Sequence, residues 1–584
     1  MGGKTPTDDA ADGIMEIMSL QESESAATNL ARATVTALVR YGVKEVVVCP
    51  GSRSAPLVYA LATAEDAGWL RTHICLDERS AGFYALGLSL SDEDRSAPVS
   101  IVMTSGTAVA NVHPAVLEAT HAGVPLLVLS ADRPHELRGT GANQTTEQVG
   151  IFGAAPVFAF DVPAGYDPAR MDALLRRAVC SACGMFSGVE GVSHLNLCFA
   201  DPLVPQQQWR PGQKPEVVHI SRRSLQATPE GGSLAESPVT GIDWDEDQTV
   251  IVAGAGAGPE SRMIAALTGW PLLAEPSSLA RGSLTHAGDA TVTLRDYQQA
   301  LGLREPSELA RQVKQIIQLG RPTLSRPVSR LLAFEQARLV VLSPGGQWAD
   351  QAGRAAAVLC PVDAAEAARQ WSQRHSLSEL SGRGEWLERW QVASRPDFPA
   401  VSPQHLAARL WAESKQADLN LMIGASSIIR YFDRAADAIL VDSDGPLQVF
   451  SNRGLAGIDG TLATARGVRR GTNRPTRVVL GDLTFLHDAM SLLPSLGVED
   501  VLALPGLQVI VLNDGGGSIF AGLEHAAAPQ ALFDRFFRTE QHLDFAAFAQ
   551  SVGAKYREFS LAEACESADF APAEGLEIIN VALK

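Results

Sequence analysis

A chain of 584 residues, 46% hydrophobic and 20% charged, is too long for a single core and has the make-up of three or four globular α/β units. A net charge of −18 argues against a footprint for nucleic acid or an anionic membrane, and no apolar run approaches the roughly 18–20 residues that span a bilayer. Seven cysteines without framework spacing suit a reducing, cytoplasmic setting.

Residues 1–24 are polar and acidic, lack the basic and apolar regions of a secretory leader, and are expected to form a disordered tail. A first block, residues 25–204, alternates Ala/Leu-rich stretches with β-branched runs. These runs are EVVVCPG (Glu45 to Gly51), PVSIVMTSG (Pro98 to Gly106), VPLLVLSAD (Val124 to Asp132) and VSHLNLCF (Val192 to Phe199). Continuous apolar runs of this length read as strands buried on both faces. LDERSAGFYALGLSL (Leu76 to Leu90) predicts a helix opening on two acids, with Glu78 at its start. Cys180 and Cys183 form a lone C-x-x-C inside a helical run, where helix packing is the expected role. A Pro/Gly/Ser-rich linker, 205–245, leads to a second block, 246–390, with TVIVAGAGAGPES, WPLLAEP, ARLVVLSPGG and AAAVLCPVD. The GAGAGP glycines, Gly254, Gly256 and Gly258, have GxGxG spacing, with Pro259 where a dinucleotide motif places its last glycine. A tight turn after a strand is expected there. A loose stretch around Trp386 to Pro403 precedes a third block, 400–584, carrying DLNLMIGAS, AILVDSD, TRVVLGD, LQVIVLND and LEIINVAL. The alternation predicts an α/β chain of three doubly wound domains with parallel sheets.

Two third-block runs end in chemistry. TRVVLGD leads into GDLTFLHD (Gly481 to Asp488), and LQVIVLND into NDGGGSIF (Asn513 to Phe520). Open α/β sheets bind ligands at the carboxyl ends of their strands. An Asp at one end and an Asn-Asp at another can hold a hard cation, Mg2+ or Mn2+, which shares its shell with phosphates. The glycines let backbone approach those phosphates. This is the metal–diphosphate half of a thiamine diphosphate (ThDP) site. The other half needs a carboxyl group beside N1′ of the aminopyrimidine, where it favours the imino tautomer and so lets the cofactor take its own thiazolium proton. Glu78, an acid on an otherwise apolar segment, fills that role.

Further motifs recur in order: CPGSRSAPL (Cys49 to Leu57), DERSAGFYALG (Asp77 to Gly87), TSGTAVANVHPAVLEA (Thr104 to Ala119), SADRPHELRGTGANQTTEQ (Ser130 to Gln148) and SNRGLAGIDG (Ser451 to Gly460). With the two strand-end motifs they resemble the 2-succinyl-5-enolpyruvyl-6-hydroxy-3-cyclohexene-1-carboxylate (SEPHCHC) synthases of menaquinone biosynthesis, a branch of the ThDP enzymes. The resemblance implies a pyrimidine-binding, a middle and a diphosphate-binding domain, and a homodimer or homotetramer with sites at the subunit interface. It implies decarboxylation of 2-oxoglutarate and conjugate, Stetter-like addition of the four-carbon product to isochorismate.

Residue by residue, the resemblance puts Glu78 on the aminopyrimidine and Asp482 on the metal, with Asp514 and the Gly516 carbonyl as further ligands and Asn513 as the alternate. It places Ser52 and Arg53 at the reaction centre, Arg133, Asn143 and Gln144 on the substrates, Ser426 and Arg430 in GASSIIR, and Arg453 in SNRG. Ile458, Ile519 and Phe520 wall the cofactor. Glu78, Arg53, Gln144, Arg430 and Arg453 are the expected catalytic set. Both substrates are dianions, and arginine grips a carboxylate with two parallel hydrogen bonds. Two positions depart from the family pattern. GRPTLSRPVSR supplies Arg326 but has Pro327 where a second basic residue is usual, with Arg330 as a candidate replacement; Ala425 stands where Asn is usual. His487 is expected to be structural, and His113 is not needed as a base because the cofactor supplies its own.

Overall fold

The computed structural model describes residues 24–92, 94–185, 187–218, 241–281, 292–375, 381–439, 441, 447–493, 504–572 and 574–583. The expected tail and much of the 205–245 stretch lie outside them, as does most of AILVDSD.

Three sheets account for the strands. The first holds β1 (Glu45–Val48), β2 (Arg71–Ile74), β3 (Val99–Met103), β4 (Leu126–Asp132), β5 (Phe158–Val162) and β6 (Val192–Cys198), in the order β2-β1-β3-β4-β6-β5. The second holds β7 (Thr249–Ala253), β8 (Leu272–Ala274), β9 (Gln315–Leu319), β10 (Arg338–Leu342) and β11 (Ala357–Leu359), ordered β11-β10-β9-β7-β8. The third holds β12 (Asn420–Ile423), β13 (Val449–Phe450), β14 (Thr476–Gly481), β15 (Leu507–Asn513), β16 (Lys555–Ser560) and β17 (Leu576–Ala582), ordered β13-β12-β14-β15-β17-β16. Every named pairing is parallel. This is the α/β architecture of three doubly wound sheets that the sequence pattern predicts. The first and third sheets have the same strand order, although the chain carries no short-period repeat.

Each sheet is buried on both faces. Val46 and Val48 join one apolar cluster while Val47 joins the opposite one; Val478 and Leu480 are likewise separated from Val479. That is the two-residue alternation of a strand with helices above and below.

The helices that position the site are α1 (Glu78–Leu90), α2 (His113–Ala122), α3 (Arg326–Leu332), α4 (Ser381–Ala393), α5 (Ser427–Ala435), α6 (Thr461–Thr472) and α7 (Asp482–Asp488). Helix α1 starts after β2, and α6 after β13, so they are equivalent elements of equivalent sheets. They cross with almost nothing between their backbones. A Cβ on Gly87 would overlap the Thr464 carbonyl, and one on Gly467 the Tyr84 carbonyl. Beyond the crossing, Arg79 Nη2 donates to the His487 carbonyl (3.0 Å), and the Ser80 and Ser491 hydroxyls pair at 2.9 Å. The start of α1 is thereby tied to the far end of α7.

The structure adds to the sequence reading at two points and corrects it at a third. The edge strands β2, β5, β13 and β16 are not among the runs read from the sequence: β2 (RTHI) and β16 (KYREFS) lack an apolar run, and β5 (FAFDV) and β13 (VF) are short. Strand β9 is central, yet its QIIQL run is broken by two buried glutamines. Gln315 Nε2 donates to the Asp243 carbonyl (2.9 Å), and Gln318 Nε2 to that of Ala349 (2.5 Å). The stretch from Trp386 is not loose: it begins inside α4, where Trp386 and Trp390 pack under the middle sheet and Trp386 Nε1 donates to the Thr249 carbonyl (2.9 Å). Cys180 lies in the helix Met171–Ala182 and Cys183 at its end, both buried and free. No helix among the described residues is long and apolar enough to cross a membrane.

Two glycine substitutions separate packing from propensity. Gly87→Ala is expected to destabilise by about 1–3 kcal/mol, because the neighbouring atoms are backbone and cannot rotate away. Gly384→Ala, in α4 with nothing within 4 Å of the new Cβ, is expected to stabilise by up to about 1 kcal/mol. Apparent melting temperatures of the two variants check both signs.

Candidate active site

The buried strand β14 ends at Gly481, and Asp482 opens α7 directly behind it. The Asp482 carboxylate accepts from two directions: its own helix start, Leu483 N (2.9 Å), and the loop after β15, Gly516 N (2.7 Å). That second loop is shaped by glycine. Gly515 and Gly516 have φ of 74° and 122°, and a Cβ on Gly516 would overlap the Arg538 carbonyl. Asn513 Oδ1 is taken by Gly515 N (3.1 Å) in a local turn. Asp514 differs: one carboxylate oxygen accepts from the Ser518 hydroxyl, while Oδ1 is buried without a partner.

Burial raises both carboxyl pKa values above the usual range, and at Asp482 the neighbouring Asp514 raises it further. Two desolvated acids with an orphaned oxygen fit a divalent cation, whose charge offsets both penalties. The Gly516 carbonyl accepts from Ser518 N (2.9 Å) and keeps a second lone pair for such an ion. The orphaned oxygen belongs to Asp514 and not to Asn513. Beside this cradle is a cavity of about 470 Å³, lined by Asp482, Leu486, Asn513, Gly515 and the segment 540–545. Ile519 and Phe520 follow in a short turn, half-buried, with the Phe520 and Phe537 rings 5.7 Å apart; Ile458 is also half-buried.

Glu78 stands at the first turn of α1, which Asp77 caps by accepting from Arg79 N (3.0 Å). It is not part of the cavity lining, all of which comes from the third sheet and its loops.

The arginines form two groups. In the first, Arg53 follows β1 and Arg133 follows β4, two strands of the first sheet separated by β3. Arg133 Nη1 donates to Ser105 Oγ (2.6 Å) and to the Gln144 carbonyl (2.5 Å), and Gln144 Nε2 donates to the Ser105 carbonyl (2.9 Å). Arg53 Nη1 donates to the Phe199 carbonyl (2.8 Å). Desolvation, then Arg53, lowers the Arg133 pKa. Ser52 and Asn143 are exposed on the same loops. The second group joins the middle and third domains: Arg326 at the start of α3, Arg430 on α5 and Arg453 in the loop after β13. Arg430 Nη1 donates to the Ser426 carbonyl (2.6 Å), and Arg453 Nη2 to Thr323 Oγ1 (3.0 Å). Desolvation and then Arg453 lower the Arg430 pKa, with Arg326 adding to this and Asp433 opposing it.

Arg330, the candidate replacement for the missing basic residue, has its guanidinium bound to backbone, at the carbonyls of Gly302, Leu303 and Arg304. Pro327 sits at the first turn of α3, where its missing N–H costs nothing. His487 takes part in the α1–α7 contact, and the His113 ring packs edge-on against Phe152.

Three residues not singled out from sequence surround these groups, and two of them hold the loops in place. Glu118, buried on α2, accepts from Gly454 N (2.6 Å) and Leu455 N (2.7 Å), the two residues after Arg453. Glu275, buried just beyond β8, accepts from Leu324 N (2.8 Å) and leaves Oε2 unpartnered. Arg321 precedes Thr323 and is close enough to Arg453 to be affected by its charge. The available signals were acids inside otherwise apolar runs, AVLEA and PLLAEP, and a basic residue next to an expected one.

Residues 28–151 match the family model described as "Thiamine pyrophosphate enzyme, N-terminal TPP binding domain". The chain is 42% identical over 577 residues to the SEPHCHC synthase of Kineococcus radiotolerans, covering 95% of each chain. It is 40% identical to that of Renibacterium salmoninarum, with 94% of this chain and 93% of the relative covered. It is also 40% identical to that of an Arthrobacter species, with 95% and 89% covered. The chain belongs to the SEPHCHC synthase family. It is an enzyme, a transferase, and its first domain is of the ThDP-binding kind.

The loop that carries Thr323 and leads into Arg326 rests on Glu275 through Leu324 N. Burial pushes the Glu275 carboxyl up to about 8, with Asp433 adding to the shift. A folded-state value raised above the usual carboxylate range means the folded protein keeps a proton that the unfolded chain has lost. The associated stability is present below about pH 4.5 and is lost as pH rises towards 8. Glu275→Gln is expected to flatten that loss and to narrow the difference in melting temperature between pH 5 and pH 8.

Proposed function

We propose that the chain decarboxylates 2-oxoglutarate and adds the resulting four-carbon unit to isochorismate by conjugate 1,4-addition, the SEPHCHC synthase reaction of menaquinone biosynthesis, in the cytoplasm. The cofactors are ThDP and Mg2+ or Mn2+. The observation that carries the reading is the strand-end cradle: paired desolvated carboxylates, one orphaned oxygen on Asp514, and glycines where any Cβ would collide.

In this reading residues 25–204 form the pyrimidine-binding domain, 246–390 the middle domain and 400–584 the diphosphate-binding domain. Asp482, Asp514 and the Gly516 carbonyl hold the cation. Ile458, Ile519 and Phe520 press on the cofactor, and Ser52 and Ser426 hydrogen-bond near it. ThDP, when bound, supplies a nucleophilic carbon and a sink for the electrons left by decarboxylation. The protein supplies the proton relay and the charge. Glu78 holds a proton at N1′ of the aminopyrimidine. Arg53, Arg133, Asn143 and Gln144 bind one set of carboxylate and hydroxyl groups, while Arg326, Arg430 and Arg453 bind another. Fixing two dianions against the reacting carbon replaces a three-body encounter with a bound geometry.

Glu78 is absent from the cavity wall of its own chain, so a second copy is needed to bring an equivalent acid to the cradle. Leu76, 71% exposed, and Met490, 60% exposed, flank that region and supply apolar surface for a homodimer, from which a tetramer can be built. Neither nucleic acid nor membrane enters the reading.

The test is a product assay with 2-oxoglutarate and isochorismate, with pyruvate as the control donor. Carbon dioxide release is expected only with ThDP and a divalent cation, and carboligation only when isochorismate is added. Absence of product under those conditions, or preference for pyruvate, overturns the reading. Glu78→Gln is expected to retain ThDP binding but lose about 10²–10⁴-fold in turnover. Asp482→Ala is expected to lose the Mg2+-dependent part of ThDP affinity, read by calorimetric titration with and without chelator; unchanged affinity would place the cation elsewhere.

A further inference from the structure

The GAGAGP segment makes the tight turn after β7 that its spacing predicts. It forms one side of a close pairing between the loops after β7 and β9. Ala255 and Arg321 exchange both backbone hydrogen bonds, Arg321 N to Ala255 O at 2.9 Å and Ala255 N to Arg321 O at 3.3 Å. Glycine makes the approach possible. A Cβ on Gly254 would overlap the backbone of Arg321 and Pro322, and one on Gly320, at φ 65°, would lie 2.6 Å from the Ala255 carbonyl oxygen. Two loops are thus held rigidly in order to present the side chain of Arg321.

That side chain is left without a partner. Its Nε is buried and unpaired, and among the described residues no hydrogen bond or ion pair reaches the guanidinium. The charged groups that act on it are Glu118 and Arg453. Glu118 already spends both oxygens on the amides of Gly454 and Leu455. Arg453 repels it, has its own Nε buried and unpaired, and makes one side-chain bond, to Thr323. Two guanidinium groups with unfilled donors, set around one committed carboxylate, lack an anion. A carboxylate fills both sets of donors in the fork geometry that arginine favours.

We propose that Arg321 is a further substrate-binding residue, which together with Arg453 takes one carboxylate of a dicarboxylate substrate. The assignment rests on the reaction proposed above.

The experiment uses the full-length enzyme loaded with ThDP and Mg2+, as wild type, Arg321→Gln and Arg321→Lys, with the KM for 2-oxoglutarate and for isochorismate measured separately. Arg321→Gln is expected to raise one KM by about tenfold or more while kcat stays within about threefold, and Arg321→Lys to recover part of the loss. Both KM values within about twofold of wild type would overturn the proposal. A fall in kcat and in melting temperature with both KM values unchanged would also overturn it and leave Arg321 as scaffold. Wild-type protein that turns over neither substrate refutes the proposed function separately, and succinate then reads the anion site without turnover. It is expected to raise the melting temperature of the wild type more than that of Arg321→Gln, and equal shifts would refute the role of Arg321.

Discussion

The crossing of α1 and α6 is the contact on which the remaining arrangement depends. Both helices leave the second strand of a sheet with the same strand order, and they touch through glycine, backbone on backbone. Close approach of this kind gains dispersion contacts over the whole crossing and leaves little freedom to slide, because any shift drives an atom into a carbonyl. The polar ties beyond the crossing, from Arg79 to His487 and from Ser80 to Ser491, extend that rigidity to α7. Helix α7 begins with Asp482. The acid at the start of α1 and the acid at the start of α7 are therefore carried on one stiff assembly, although about 400 residues separate them in the chain.

The same economy governs the arginines. Bringing Arg321, Arg326, Arg430 and Arg453 together is unfavourable in the free protein, since each depresses or opposes another and desolvation adds to the cost. Buried acids hold the assembly together. Glu118 pins the Arg453 loop from the first domain, Glu275 pins the 321–326 loop from the middle domain, and Asp433 on α5 accepts from Tyr297 Oη at 2.5 Å. These acids bond mainly to backbone amides and neutral side chains, so they fix the loops without consuming the guanidinium donors. The charge left over is the part a dianionic ligand can use.

What the sequence disclosed follows from what burial demands. Central strands such as β4, β14 and β15 are covered on both faces and read directly from their aliphatic stretches LLVL, VVL and VIVL; the edge strands β2 and β16 and the central β9, with a glutamine at each side of its two isoleucines, do not. Trp386 looked like part of a connector because α4 is polar on its outer side, and only packing reveals that Trp386 and Trp390 are core. The pairing of Asp482 and Asp514 across two strand ends was legible because strand-end Asp and glycine have few other reasons to coincide. The arginines proposed to bind substrate were singled out only through family resemblance, since a lone arginine in a loop has no signature of its own. Arg321 and Glu118 escaped both routes. Their roles arise from the meeting of three domains, which no local pattern encodes.

A chain with net charge −18 for which two dianionic substrates are proposed presents an apparent conflict. It resolves once distance is considered. At physiological ionic strength the field of an exposed charge decays over about 8 Å, so the mean charge of the surface is largely screened from a cleft. Inside the cleft, screening is weaker and a few half-buried guanidinium groups dominate the local potential. The metal cradle inverts the sign over a short range: Asp482 and Asp514 make it negative, and their raised pKa values show that burial leaves these charges poorly compensated. The protein thus carries a negative cradle and separate clusters of guanidinium groups, each built from like charges too close together to be comfortable alone. Ligands of opposite sign relieve both strains, and the same binding events that assemble the reactants stabilise the fold that holds them.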